Sequence, residues 1–160
     1  MGFLYFSHNT KNRICILLSA SALILGGTIY ILFYTSQPVF FSWIRAAGLH
    51  NWLTQARHYS LTAGSNLPPW VVFSLPDGLW AFAYAVLITG IWIRSNSGLK
   101  YFWMSTIPVL VIGLELLQNT GMVKGTFSLQ DIVFEISGLL IGIYAGIKIT
   151  KSHHHEKSVA

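Results

Sequence analysis

An uncharged run near the N-terminus limits the possible fold more than any other feature of the sequence. Residues 14–34 contain no Asp, Glu, Lys or Arg, and a run of this length crosses the ~30 Å hydrocarbon core of a bilayer as one helix. Lys11 and Arg13 precede it, which is typical of a cytoplasmic flank. Because the run is longer than the apolar part of a signal peptide and lacks small residues at a cleavage site, we interpret it as an uncleaved anchor.

The composition agrees with an integral membrane protein that contacts the lipid bilayer. Hydrophobic residues make up 53% of the chain and charged residues only 9%, where a soluble domain has about 25% charged residues. The basic residues are scattered over predicted loops and tails and form no stripe with exposed aromatic residues, so a nucleic-acid-binding surface is not expected. The single cysteine, Cys15, excludes an intramolecular disulfide.

Three further apolar runs predict a single membrane domain over residues 1–160, an all-α membrane protein with four transmembrane helices. The four spans are at about 14–34, 76–93, 101–120 and 131–149.

The second span begins with Pro76, Asp77 and Gly78. Proline and glycine interrupt helices, so we expect the uninterrupted helix to begin only at Leu79 and to be shorter than a full crossing. Asp77 would then be available as its N-cap.

The fourth span contains three glycines at or near a spacing of four residues: Gly138, Gly142 and Gly146. Small residues at this spacing allow helices to pack closely in lipid, so the pattern predicts a tight contact with a neighbouring helix.

Residues 38–62 lie between the first two spans and are neither a span nor a soluble loop. Aromatic and aliphatic residues recur there at helical spacing, with Arg45, Arg57 and His58 among the polar positions. The pattern predicts an interfacial amphipathic helix, either a simple anchor or a lid over a lipid-facing site. Pro68 and Pro69 should end any helix that precedes them.

The distribution of basic residues predicts the topology. With four spans and a cytoplasmic N-terminus, the outer side would receive only Arg45, Arg57 and Lys124, so the positive-inside rule places both termini in the cytoplasm. The cytoplasmic side would receive Lys11, Arg13, Arg94, Lys100, Lys148, Lys151 and Lys157.

Carboxylates within or beside the apolar runs are the first candidates for function, since charges are costly in a bilayer. Glu115 and Gln118 are three residues apart and would share one face of the third span. The predicted topology brings Asp77, Glu115 and Asp131 to the outer ends of three spans. We therefore take Asp77, Glu115, Gln118 and Asp131 as candidate catalytic residues.

Three roles for this cluster are open. Carboxylate and amide oxygens suit a divalent cation such as Mg²⁺ or Ca²⁺. Burial and like-charge proximity raise carboxyl pKa values, which favours general acid–base chemistry on a lipid-linked substrate. A protonated Glu115, hydrogen-bonded to Gln118 or Asp131, could instead hold the helices together.

Several of these residues stand in motifs that resemble the VanZ-like family of small bacterial membrane proteins, over about residues 75–147. The motifs are Pro-Asp-Gly-Leu-Trp at 76–80, Glu-Leu-Leu-Gln at 115–118 and Gly-Thr-Phe-Ser-Leu-Gln-Asp at 125–131, followed by Gly138 and Gly142. The resemblance implies a multi-pass protein of the bacterial cytoplasmic membrane and a cell-envelope context, because the family's name comes from a protein linked to teicoplanin resistance.

The same resemblance adds candidate ligand-binding residues: Trp80, Lys124, Thr126 and Glu135. Many relatives carry an arginine in the loop where this chain has Lys124 and Thr126, and an asparagine where it has Glu135. The function expected is a VanZ-like envelope protein whose outward-facing acidic pocket engages a lipid-linked or glycopeptide-type ligand. The alternative is a noncatalytic scaffold or assembly partner whose acids hold the bundle together.

Overall fold

The computed structural model describes residues 10–33, 40–64, 66–120, 122 and 128–151. The regular elements in these ranges are all α-helices, which confirms the predicted all-α class. In chain order they are α1 (Thr10–Phe33), α2 (Phe40–Ala46), α3 (His50–Ala63), α4 (Pro69–Val72), α5 (Ser74–Trp92), α6 (Leu99–Asn119) and α7 (Leu129–Lys151).

Three helices in the described part of the chain are long and apolar enough to cross a membrane. They are α1 over 23 of its residues, α5 over 19 and α7 over 23. They indicate a membrane protein in contact with lipid. Helix α6 corresponds to the third predicted span; its 21 residues give a length of about 31 Å at 1.5 Å per residue. That α6 also crosses the membrane stays a prediction.

Helix α5 is the centre of the bundle, and α1, α6 and α7 all pack against it. Ala83, Ala85, Val86 and Thr89 are each 1% exposed or less. In lipid, helix association depends on close van der Waals contact because lipid tails are as apolar as the side chains. Small residues on α5 allow this close contact on more than one of its sides.

The glycines of α7 lie against α5 along most of their common length. A Cβ atom added to Gly146 would lie 2.7 Å from the Cβ of Thr89, and one added to Gly138 would overlap the carbonyl oxygen of Gly78. The close packing predicted from the glycine spacing is therefore confirmed. Because higher residue numbers on α7 meet higher numbers on α5, these two helices are parallel.

Helix α1 packs on α5 through a second set of small residues and runs in the opposite direction. A Cβ atom added to Gly90 would lie 2.9 Å from the Sγ of Cys15, and one added to Gly26 would lie 2.8 Å from the Nε1 of Trp80. The start of α1 therefore meets the end of α5. The buried small residues of α1 are Cys15, Ser19, Ala22 and Gly26.

Larger side chains join α6 to α5. The Tyr84 hydroxyl forms a 2.9 Å hydrogen bond with Oγ1 of Thr106, and the rings of Trp92 and Trp103 stack with centroids 6.5 Å apart and planes at 22°. The two helices are antiparallel, since Trp92 near the end of α5 meets Trp103 near the start of α6.

These helix directions give the bundle two different ends. Nζ of Lys11 donates a 2.9 Å hydrogen bond to the carbonyl oxygen of Thr150, so the start of α1 lies beside the end of α7. We call this the basic end; its described basic residues are Lys11, Arg13, Arg94, Lys100, Lys148 and Lys151. The opposite end, where α5 and α7 begin, is called the acidic end; its described acids are Asp77, Asp131 and Glu135.

The segment predicted as one interfacial helix contains two helices, α2 and α3. The amide of Gly48 donates to the carbonyl of Arg45 and the amide of Leu49 to the carbonyl of Ile44, at 3.0 and 3.1 Å. This pair of hydrogen bonds, with Gly48 at φ 74°, is a Schellman motif, which ends α2 because glycine adopts positive φ without steric cost. That this segment lies in the membrane interface stays a prediction.

Helix α3 packs against α1 at the acidic end and leaves large aromatic residues exposed. Leu53 is only 3% exposed, and a Cβ atom added to Gly64 would meet the ring of Phe33. Trp52 and Tyr59 are 68% and 73% exposed.

The Pro68–Pro69 pair separates α3 from α4, as predicted. Pro68 is extended at φ −60°, ψ 143°, and Pro69 is the first residue of α4. Both positions suit proline, because the residue before a proline is biased away from helical geometry and the first helical residue needs no amide hydrogen bond.

The prediction that the uninterrupted helix of the second span begins only at Leu79 is wrong. Helix α5 begins at Ser74 and runs through Pro76, Asp77 and Gly78. Pro76 is the third helical residue, where the backbone amide has no partner within the helix, so a proline is tolerated there. The helix has 19 residues and a length of about 28 Å, so it is not a short crossing.

Candidate functional site at the acidic end

The acidic end is built around a backbone contact between α5 and α7. A Cβ atom added to Gly78 would lie 2.9 Å from the carbonyl oxygen of Phe134, so the two backbones touch there. Asp77 precedes Gly78 in α5, while Glu135 follows Phe134 in α7. The contact therefore brings carboxylates from two different helices to one level of the bundle.

Asp77 lies in the first turn of α5 and is half-buried. The predicted N-cap role is wrong, because Phe73 is the N-cap residue and the helix has no side-chain cap hydrogen bond. Asp77 instead lies where the partial positive charge of the helix N-terminus favours a carboxylate. The backbone dipole of its own helix therefore partly stabilises the Asp77 carboxylate.

Asp131 is in the first turn of α7, two residues after the helix begins at Leu129. Its backbone amide donates a 3.3 Å hydrogen bond to the Oγ of Ser128. Ser128 thus acts as the N-cap, and the Ser-Leu-Gln-Asp sequence resembles a capping box with a shorter acid at its last position. The sequence contained this signal, but we had not predicted Ser128 as a residue that positions Asp131.

Glu135 follows Asp131 by one helical turn and is half-buried, with its Oε2 atom shielded from solvent. Residues four apart are neighbours on a helix surface, so the Glu135 and Asp131 carboxylates repel each other when both are charged. Burial strengthens such repulsion because the local dielectric is low. Replacement of one member by a neutral side chain, or a cation shared between them, would therefore relieve this repulsion.

An aromatic pair covers this region from the side of α4. The rings of Trp70 and Phe134 are stacked, with centroids 5.6 Å apart and planes at 23°. Phe134 lies between Asp131 and Glu135 in the sequence, so Trp70 contacts α7 at the level of these acids. The sequence prediction missed Trp70, and its position directly after two prolines gave no periodic signal.

Trp80 lies on a different side of α5 from this contact. Its ring packs on α1, with the centroid 5.5 Å from that of Tyr30 and Nε1 against Gly26. The structure therefore places this candidate ligand-binding residue between α1 and α5.

The remaining candidates fall outside what the structure describes. Glu115 and Gln118 belong to the last turns of α6, but their side chains are not among the described ones. Lys124 and Thr126 lie outside the described residues altogether. Within the described part of the chain, no group of three or more His, Cys, Asp or Glu residues is arranged to hold a metal ion.

No protein-family model, curated protein or solved structure matches this chain. The resemblance to the VanZ-like family therefore depends on the sequence motifs alone.

Proposed function

We propose that the chain is a four-span, VanZ-like protein of the bacterial cytoplasmic membrane whose acidic end faces outward and engages a lipid-linked or glycopeptide-type ligand. One observation carries this proposal: the three described acids lie together at one end of the bundle, around the contact of Gly78 with Phe134. Carboxylates at the edge of a membrane-embedded bundle are costly and mark functional sites more often than chance placement does.

The orientation follows from the charges at the two ends. The basic end carries six of the eight described Lys and Arg residues, the other two being Arg45 on α2 and Arg57 on α3, and the positive-inside rule places the more basic end in the cytoplasm. The termini would then both be cytoplasmic, provided that α6 also crosses the membrane. Helices α2 and α3 would lie in the outer interface, where exposed Trp52 and Tyr59 suit the headgroup level.

The acids would act on a ligand that enters from the outer leaflet. Asp77 and Asp131 each lie in the first turn of a helix, and their carboxylates suit binding of a cation or an ammonium group. Glu135 has a carboxylate oxygen that is shielded from solvent and suits the role of proton donor or acceptor. A divalent cation, if one is bound, would require ligands in addition to these described residues.

The proposal is tested by neutralising the acids one at a time. Asp77→Asn, Asp131→Asn and Glu135→Gln variants would be expressed in a bacterium that lacks the native gene, with Lys100→Gln as a control at the other end. We expect at least one acid variant to change teicoplanin susceptibility while its membrane abundance and thermal stability stay normal. If every acid variant keeps the wild-type phenotype, or loses it only in proportion to its abundance, the ligand site is elsewhere or absent.

Glu115 gives a second test, because it lies inside the predicted third span, away from both helix ends that place Asp77 and Asp131. We expect Glu115→Gln to remove the phenotype at normal abundance. Gln118→Leu is the comparison, since it removes the neighbouring polar group on the same helix face. Equal loss of stability in both variants would show that the two residues only hold the helices together.

The second candidate function is a noncatalytic scaffold or assembly partner. The glycine contacts of α7 and the Ser128 cap favour it, because both show that residues of the VanZ-like motifs have structural roles. A scaffold should lose membrane abundance or partner binding when the acids are neutralised, whereas a ligand site should lose only its phenotype.

A further inference from the structure

The face of α7 that points away from α5 is exposed, and its side chains change from aliphatic to aromatic to basic along the helix. The glycines of α7 face α5, so residues about half a turn away face outward. Leu140 and Ile141 are 60% and 58% exposed, and Tyr144, one turn further on, is 65% exposed. Lys148 and Lys151 continue the exposed surface to the end of the helix.

This order of residues matches the change from acyl chains to headgroups across one bilayer leaflet. Aliphatic side chains match the acyl chains, a tyrosine matches the level where the chains meet the headgroups, and lysines reach the phosphate level. Nζ of Lys148 lies 6.0 Å from the centre of the Tyr144 ring, so the cation and the ring belong to one local surface. From Leu140 to Lys148 the helix rises about 12 Å, close to the depth of one leaflet's chains.

None of the described acidic residues lies at the basic end of the bundle, where α7 ends. Asp77, Asp131 and Glu135 are all at the opposite end of the bundle. Lys11 adds a third ammonium group beside the last turn of α7, through its hydrogen bond to the Thr150 carbonyl. Lys148 and Lys151 are neighbours on the helix surface and repel each other, so an anionic group between them would lower the free energy of this end.

We propose that this outer face of α7 binds an anionic phospholipid of the surrounding membrane. One acyl chain lies along Leu140 and Ile141, the glycerol ester region is at Tyr144, and the phosphodiester lies between Lys148 and Lys151. The site is at the other end of the bundle from the acids, so it is independent of the proposed function and requires only that α7 is embedded in lipid.

The experiment is a lipid titration of the purified full-length protein in neutral detergent, followed by thermal melting and by native mass spectrometry to count bound lipids. Phosphatidylglycerol is compared with phosphatidylcholine of the same chains, and with inorganic phosphate at the same concentration. We expect phosphatidylglycerol alone to raise the melting temperature and to remain bound as one lipid per chain. The Lys148→Gln/Lys151→Gln double variant should bind it about thirtyfold more weakly, because each lysine near an anionic surface contributes about 1 kcal/mol.

Lys100→Gln is the matched control, since Lys100 lies at the same end but on α6. We expect this variant to keep its affinity for phosphatidylglycerol within about threefold. If Lys100→Gln weakens binding as much as the double variant, the attraction is a diffuse property of the basic end and the assignment to α7 is wrong. Equal stabilisation by phosphatidylcholine or by inorganic phosphate would also overturn the proposal, as would unchanged lipid retention in the double variant.

Discussion

The two contacts that α5 makes with the helices following it differ in kind. Against α7 it packs backbone to backbone, with Gly138 over the carbonyl of Gly78. Against α6 it packs through side chains, with the Tyr84–Thr106 hydrogen bond and the Trp92–Trp103 stack. A glycine contact tolerates no added atom, whereas a contact of large side chains can adjust through their rotamers. The α5–α7 pair is therefore the rigid part of the site, and α6 is attached to it by adjustable groups.

The largest effect should follow from Gly138→Ala. The added methyl group would overlap the backbone of Gly78, which cannot move aside as a side chain can. We expect the free energy of unfolding in detergent to fall by about 3 kcal/mol, at the upper part of the range for overpacking. Gly27→Ala is the control, because a Cβ atom there meets nothing within 4 Å, and it should unfold no more easily than wild type. A stable Gly138→Ala protein would show that α5 and α7 are not in backbone contact.

A smaller effect is expected from Ser128→Ala. The substitution removes the side-chain oxygen that accepts from the amide of Asp131, and loss of such a cap costs about 1 kcal/mol. Thermal melting measures the loss, with Ser128→Asp as the variant that should restore it, since Asp is also a good N-cap. Equal destabilisation by Ala and Asp would mean that Ser128 does not cap α7.

These first two changes also show how far the sequence could predict the structure. The spacing of Gly138, Gly142 and Gly146 gave the α7 contact correctly, because small residues leave only one favourable face for packing. The prediction of an uninterrupted helix only from Leu79 was wrong because Pro76 and Gly78 usually interrupt helices. The first turn of a helix tolerates proline, however, and the close packing on α7 requires the glycine. In α1 the buried small residues follow a four–three–four spacing and include Cys15 and Ser19 instead of glycines, and we did not recognise them as a packing face.

Parts of the candidate site could not be predicted for a different reason. The rotation of the helices against each other decides which face of α5 carries Trp80. It also decides whether Trp70 reaches Phe134. Helical periodicity alone does not fix that rotation when a helix is apolar on all sides, as α5 is.

Tyr84→Phe tests the adjustable contact. It removes the hydroxyl that pairs with Thr106 but keeps the ring, and hydrogen bonds between membrane helices contribute about 0.6 kcal/mol on average. The expected loss in unfolding free energy is therefore well below that of Gly138→Ala. A double-mutant cycle with Thr106→Val isolates the pair. A coupling free energy above about 2 kcal/mol would contradict the difference that we draw between the two contacts.

The smallest change is expected from Glu135→Gln, which leaves the shape of the α7 contact unchanged. Neutralising one member of the Asp131–Glu135 pair removes a like-charge repulsion worth a few tenths of a kcal/mol on a helix. The variant should be as stable as wild type or slightly more stable when melted at neutral pH. Loss of folding would show instead that Glu135 is held as an anion by a group that stabilises it.

We propose that α6 crosses the membrane and that the acidic end faces outward. The most direct measurement is cysteine labelling in intact cells, in a Cys15→Ala background, at Asn96 before α6 and at Met122 after it, both exposed in the structure. We predict that a membrane-impermeant maleimide labels Met122→Cys in intact cells and labels Asn96→Cys only after the cells are opened. Labelling of both positions from one side would show that α6 does not cross, and the reverse pattern would place the acidic end in the cytoplasm.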